Sequence, residues 1–258
     1  MKISEALDKR LAEFPVLPDH TRPHPHTSVG IEVELEGLRK SDFNDLKRWR
    51  IVSDGSLHDG IEFVSDPVWG TAITDALNEL DDQLRGKEPH LSPRTSIHVH
   101  INVLDMEMDA LARFIKLYVM YEAPLFRLHE EWNRTTNIFC TPCHKSVKIM
   151  RSYSNIIKNL KRQHINRTDL PSKYCAMNTK CLTSLGTLEF RLMGGSVDIV
   201  KIDRWINILL QLKLAALEDR DINNPEEVWG PYFPTLEIVA EDIEQGKRMV
   251  DYLTLEGI

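Results

Sequence analysis

The sequence predicts an α+β protein: a mainly antiparallel sheet with helices packed against it. Three observations support this. Several short segments alternate apolar and polar residues with period two, which marks strands with one covered face. They occur in pairs or are separated by helical stretches of unequal length, which argues against a regular parallel βαβ array. The chain has 258 residues, 42% of them hydrophobic and 28% charged with mixed sign, enough for a substantial core; the length suits one large α+β domain or two small ones, and a single domain over residues 1–258 is expected.

Ile3, Leu7, Leu11 and Phe14 are spaced as on one helical face, predicting a helix over 3–14, and Pro15, Pro18, Pro23 and Pro25 then impose an extended connector. Residues 28–37 alternate strictly, with Val29, Ile31, Val33 and Leu35 on one side and Glu32, Glu34 and Glu36 on the other. The Asp54-Gly55-Ser56 and Asp59-Gly60 stretches are turn material, and a strand follows over 61–65. A helix is expected over 69–85, stopped by Gly86, and another strand over 95–103. Asp105 can cap a long helix running to about Trp132, with Pro124 bending it. Residues 133–146 show no period, and a basic helical segment covers 147–163. Strands at 173–180 and 186–193 read as a hairpin turning near Gly186. An apolar helix over 198–218, a Pro-rich loop over 225–234 and an amphipathic helix near 236–254 complete the chain.

Carboxylates resist burial without a partner, so Glu32, Glu34 and Glu36 must face either water or a cation. One such strand alone would suit a solvated outer face. The pattern recurs, however. Glu62 sits between Ile61 and Phe63, Glu189 between Leu188 and Phe190, and His98 and His100 alternate with Ile97, Val99 and Ile101. Arg191 follows Glu189 at same-face spacing. Polar groups on four strands of β-formers point to one lined cleft. Oxygen-rich ligands with an imidazole suit magnesium or manganese rather than zinc or copper. Divalent ions beside an arginine suit phosphoryl transfer, with metal-assisted hydrolysis, as in a phosphoesterase, the alternative.

Four motifs occur in order: Gly30-Ile-Glu-Val-Glu34, Asp54-Gly-Ser-Leu57 with Gly60-Ile-Glu62, Ser96-Ile-His-Val-His100, and Thr187-Leu-Glu-Phe-Arg191. Together with Asn178 and the Gly194-Gly195-Ser196-Val-Asp198 tail, they resemble the amidoligase family of the glutamine synthetase and γ-glutamylcysteine ligase superfamily. The likeness runs from about residue 28 to 210. It implies a curved sheet, a partial barrel like the glutamine synthetase catalytic domain, with the helices on its outer face. It implies metal ligands at Glu32, Glu34, Glu62, His98 and Glu189. It places His100, Arg191 and Asn178 near ATP, with Arg191 at the γ-phosphate, and Asp54 at a metal or the incoming ammonium. Glu36 falls outside the motif and receives no role. The implied reaction is ATP- and Mg-dependent joining of a carboxylate to an amine through an acyl phosphate. A binding protein that kept the fold without the chemistry is the non-enzymatic alternative.

The formal charge of −7 gives no reason to expect a nucleic-acid partner. No segment is apolar enough to span a bilayer and the first residues lack the apolar core of a signal peptide, so a cytoplasmic protein is expected. Cys140-Thr-Pro-Cys143-His144 fits a c-type haem pattern without the secretory signal that would accompany it. With Cys175 and Cys181 it offers four thiols, read either as a zinc site or as small apolar residues. His20, His24 and His26 belong to an exposed linker or to a metal site. The basic stretch 145–167, within a possible insert over 133–172, is a solvated helix face, a lid over anionic substrates or a docking surface for an acidic partner. Trp49, Trp69, Trp132, Trp205 and Trp229 are too scattered for a binding box and read as packing residues.

Overall fold

The structure, a computed structural model, describes residues 1–9, 22–129, 134–165 and 174–255. Six strands form one open antiparallel sheet: β1 Val29–Glu36, β2 Trp49–Val52, β3 Gly60–Ser65, β4 Ser96–Asn102, β5 Met177–Asn178 and β6 Thr187–Gly194, in the order β2-β3-β1-β4-β6-β5. All five neighbouring pairs are antiparallel. Helices α1 Ile3–Ala6, α2 Thr71–Leu84, α3 Met108–Arg127, α4 Val147–Lys161, α5 Cys181–Leu185, α6 Ile199–Leu217, α7 Pro225–Trp229 and α8 Ala240–Leu255 accompany it.

The apolar alternation decides which face is covered. Val29, Ile31, Val33 and Leu35 are buried, as are Ile97, Val99 and Ile101 of β4. Against this face lie α3 and α6, with α2 beside α6 and with α4 and α8 packed on α3. Phe114 and Tyr118 of α3 meet Phe190 of β6, with ring centroids 5.8 and 5.7 Å apart. The Trp49 indole donates to the Ala76 carbonyl at 2.8 Å and ties edge strand β2 to α2. Burying so many apolar side chains between sheet and helices supplies the main driving force.

Several sequence expectations need correction. The first helix stops at Ala6, because Asp8 takes a left-handed φ of 51°; residues 10–14 lie outside the described residues. Glu107, not Asp105, is the N-cap of α3. The Asp105 carboxylate instead receives the buried Lys213 ammonium at 2.7 Å, which also donates to Thr27 and to the Asn102 carbonyl. Helix α3 ends at Arg127, and Trp132 lies outside the described residues. Its bend is at Tyr121, just before Pro124. The expected strand over 173–180 shrinks to Met177–Asn178, and the hairpin turn is the short helix α5, closed by Gly186 at φ 74°. Pro225–Trp229 is helical, started by the Asn224 side chain. Strand β2, Trp49–Val52, has no counterpart among the strands expected from the sequence.

The connector is not a free linker where it is described. Arg22 is buried, donating to the Gly70 carbonyl and pairing with Asp203 at 2.8 Å. His24 shares a 2.6 Å hydrogen bond with Thr27, and burial pushes its pKa down to about 4. His20 and Arg167 lie outside the described residues. Among the described residues, no helix is long and apolar enough to cross a membrane.

Candidate active site

Directly opposed residues of an antiparallel sheet share a face. The register sets Glu34 opposite Glu62, Glu32 opposite His98, and His100 opposite Glu189, with Asn178 on the other side of Glu189. Acids and imidazoles from four strands, with the Asn178 amide from a fifth, thus form one band on the face away from α3 and α6. Gly30 lies opposite His100, and a β-carbon there would stand 3.3 Å from the His100 β-carbon. A glycine at this position leaves the imidazole its room.

A β-bulge completes the band. From Ile97 to Val99, β4 advances two residues, while β6 advances three, from Met193 to Phe190. Arg191 and Leu192 therefore share the place opposite His98. Their carbonyls accept from buried Arg134, at 2.6 Å for Arg191 and 3.2 Å for Leu192. The Arg191 guanidinium bonds Glu189, donates to the Phe139 carbonyl at 3.3 Å and lies 3.4 Å from His98 Nδ1.

His98 stands between two carboxylate groups. Its Nδ1 is 2.9 Å from Glu32 and 3.7 Å from Glu189; its Nε2 faces Glu34 at 3.8 Å. Ser96 bonds Glu34 and lies 2.7 Å from His98 Nε2. Glu32, Glu34, Asp54, Glu62, His98 and Arg191 line a cavity of about 490 Å³, with Arg94 and Tyr174 also in its wall. His100, Glu189 and Asn178 stand behind this front. His100 Nε2 is 3.1 Å from Glu32, and Asn178 donates to Glu189 at 2.6 Å.

Burial pushes the Glu32 carboxyl up, but hydrogen bonds from His100 and His98 outweigh it and hold Glu32 well below the usual carboxylate range. Burial opposes ionisation of Glu189 too, and the charges of His98, Arg191 and His100 prevail, lowering it. Asp54 is lowered against partial burial by the Ser56 hydroxyl and N–H. Burial disfavours a charged His100, yet the Glu32 hydrogen bond raises its pKa. Glu62 goes the other way: burial, the charge of Glu32 and a hydrogen bond with it push Glu62 up to about 9. The charges that weigh most on it are carboxylates: Glu32, Glu34 and Asp54.

The donor set fits hard divalent cations. Glu32, His98 and Glu189 offer ligand atoms within 4.8 Å of one another, as do Glu34, Glu62 and His98. Each group supplies two carboxylates and an imidazole, a chemistry suited to magnesium or manganese. A cation beside Glu62 would offset the charge of the carboxylates around it.

Some site residues escaped the sequence reading. Ser96 was visible as the first member of Ser96-Ile-His-Val-His100, on the face of both histidines. Arg134 and Arg94 sit in stretches without periodicity, and their placement follows from tertiary packing alone. Glu36, left without a role, is buried and accepts from the His58 N–H at 2.7 Å. The four thiols do not converge. Cys143 donates to Glu122, Cys175 to the Met177 carbonyl and Cys181 to Glu189, while Cys140 is buried beside Arg134. Helix α4, the centre of the basic stretch, buries its apolar side against α3 and α8.

No curated protein matches this chain. The model of a family described as "putative amidoligase enzyme" matches residues 39–213, a span that includes Asp54, Glu62, His98, His100, Asn178, Glu189 and Arg191 and begins just after Glu32 and Glu34. That span is more than half of the chain, and the protein belongs to this amidoligase family.

Proposed function

We propose that the protein is an ATP- and magnesium-dependent carbon–nitrogen ligase that activates a carboxylate as an acyl phosphate and joins it to an amine. The observation that carries this reading is the meeting of Arg191 with two carboxylate–imidazole groups at one cavity. A carboxylate is a poor electrophile, and phosphorylating it brings two anions together. Glu32, Glu34, Glu62, His98 and Glu189 would hold magnesium, with manganese an acceptable substitute, and the bound metal would offset that repulsion. Arg191 gives the phosphoryl group a fixed cation whose own orientation is set by Glu189 and the Phe139 carbonyl. His100 holds Glu32 in the cavity wall, and Asn178 holds Glu189 behind it, where Glu189 orients Arg191. Asp54, with its lowered pKa, suits an ammonium better as a holder of charge than as a base.

The test is an ADP-release screen over paired carboxylates and amines, with mass spectrometry of products. The ligase requires both substrates and, with ATP, yields an amide, ADP and phosphate, one oxygen of the carboxylate leaving in the phosphate. Phosphate release needing neither substrate would identify a phosphoesterase. No Mg·ATP binding by calorimetry, and no effect of Glu189→Ala, would leave only a binding protein on this fold.

A further inference from the structure

A second cavity, of about 160 Å³, lies between the end of α3, the end of β6 and the start of α6. Met193 lines it and shares its sheet face with the core residue Ile97, so the cavity lies on the helix-covered side, away from the carboxylate band. Its volume is room for roughly five waters or one small ligand.

The side chains of His129 and Trp205 line it, and each buries a nitrogen, Nε2 and Nε1, that has no hydrogen-bond partner among the described residues. The rings pack edge to face, with centroids 4.5 Å apart. Buried polar groups are nearly always satisfied, and an exception calls for an occupant. The indole N–H can only donate, so the occupant must accept. Ser196 adds a hydroxyl whose oxygen already accepts from the Asp198 N–H, leaving its proton to give. Lys201, Arg204 and Trp205 fall at helical same-face spacing on α6, which brings two cations to the cavity. The Arg204 guanidinium is exposed and has no ion pair among the described residues. Burial, then the charges of Arg134 and Lys201, push the His129 pKa down to about 3. The same positive field that repels an imidazolium attracts an anion.

We propose that this cavity binds a small oxyanion, a phosphate or a carboxylate, at a site separate from the carboxylate cleft. The inference does not depend on the ligase reading, since no residue of the acidic band takes part.

The test is NMR on the full-length ¹⁵N-labelled chain in EDTA, where the metal-free acidic cleft repels anions. Inorganic phosphate and acetate are titrated separately against a chloride control, and the Trp205 indole N–H is followed, assigned with Trp205→Phe. The expected result is a saturable shift of that resonance by phosphate, acetate or both, and the responding anion identifies the class. Arg204→Gln changes only an exposed side chain and should weaken binding about tenfold, the loss of one charge-assisted hydrogen bond. An indole resonance that merely follows the chloride control would overturn the proposal. So would saturation unchanged in Arg204→Gln.

Discussion

Gly246 of α8 packs against the carbonyl oxygen of Met120 in α3. That carbonyl stands four residues before Pro124, which has no N–H to offer it. A β-carbon at Gly246 would fall inside van der Waals contact of that oxygen. Glycine to alanine within a helix ordinarily stabilises by about 0.5–1 kcal/mol. Here the sign should reverse: Gly246→Ala should destabilise by about 1–3 kcal/mol, the usual cost of overpacking. Urea denaturation of both proteins checks the sign, and a stabilised variant would refute the close contact.

Glu62 makes stability depend on pH in the metal-free protein. Its folded pKa, about 9, lies above that of an unfolded glutamate, so the folded chain keeps a proton that the unfolded chain gives up. Its contribution is complete below about pH 4.5 and is lost as pH rises toward 9. His100, also raised, adds a slope of the same sign, so the difference between wild type and Glu62→Gln isolates Glu62. In EDTA, unfolding free energy should fall between pH 5.5 and 9 more steeply in wild type than in the variant. Added magnesium should release protons at pH 8, detectable in weakly buffered solution.

Removing Arg134 should cost more than an ordinary side-chain truncation. Arg134→Met keeps the bulk and strips two carbonyls of the β6 bulge of their donor. Leaving buried acceptors unsatisfied costs about 1–3 kcal/mol each, so a loss of about 2–6 kcal/mol is expected. Arg191→Met also strands the buried Glu189 carboxylate, so it should remove activity and lower stability together. An Arg134→Met protein as stable as wild type would refute the assignment of Arg134 to the bulge.

The Lys213–Asp105 pair should respond unequally to its two halves. Lys213 is fully buried, whereas the Asp105 side chain is 33% exposed. Asp105→Asn strands a buried ammonium and should cost about 3–5 kcal/mol. Lys213→Met leaves a carboxylate that water can reach and should cost about 1–3 kcal/mol. Thermal unfolding at pH 7 ranks the pair.

How far the sequence reveals this molecule depends on how local each cause is. Strict alternation in β1 and β4 marks both the core face and the acid face, because period two maps residues directly onto sides of a sheet. Strand β2 has only Trp49–Val52 and lies at the sheet edge, too short for alternation to stand out. The truncated first helix turns on one left-handed residue, Asp8, and the lost hairpin on Cys181–Leu185 folding as a helix. Of the site, the chain shows which acids and imidazoles share a face, but not that Arg134 reaches across to the β6 carbonyls, since nothing near Arg134 in sequence requires it.

The extra residue in β6 also bears on how this family can vary. Because Arg191 and Leu192 together face His98, the strand before the bulge and the strand after it are out of step by one residue. Deleting one of the two would restore a regular ladder, with Met193 still on the core face and Glu189 still on the acid face, and would leave His98 a single neighbour. What the extra residue supplies is therefore the local bend that aims the Arg191 guanidinium and presents two carbonyls to Arg134. Relatives that align here with a one-residue gap would keep both faces of the sheet and would need a different way of aiming the arginine.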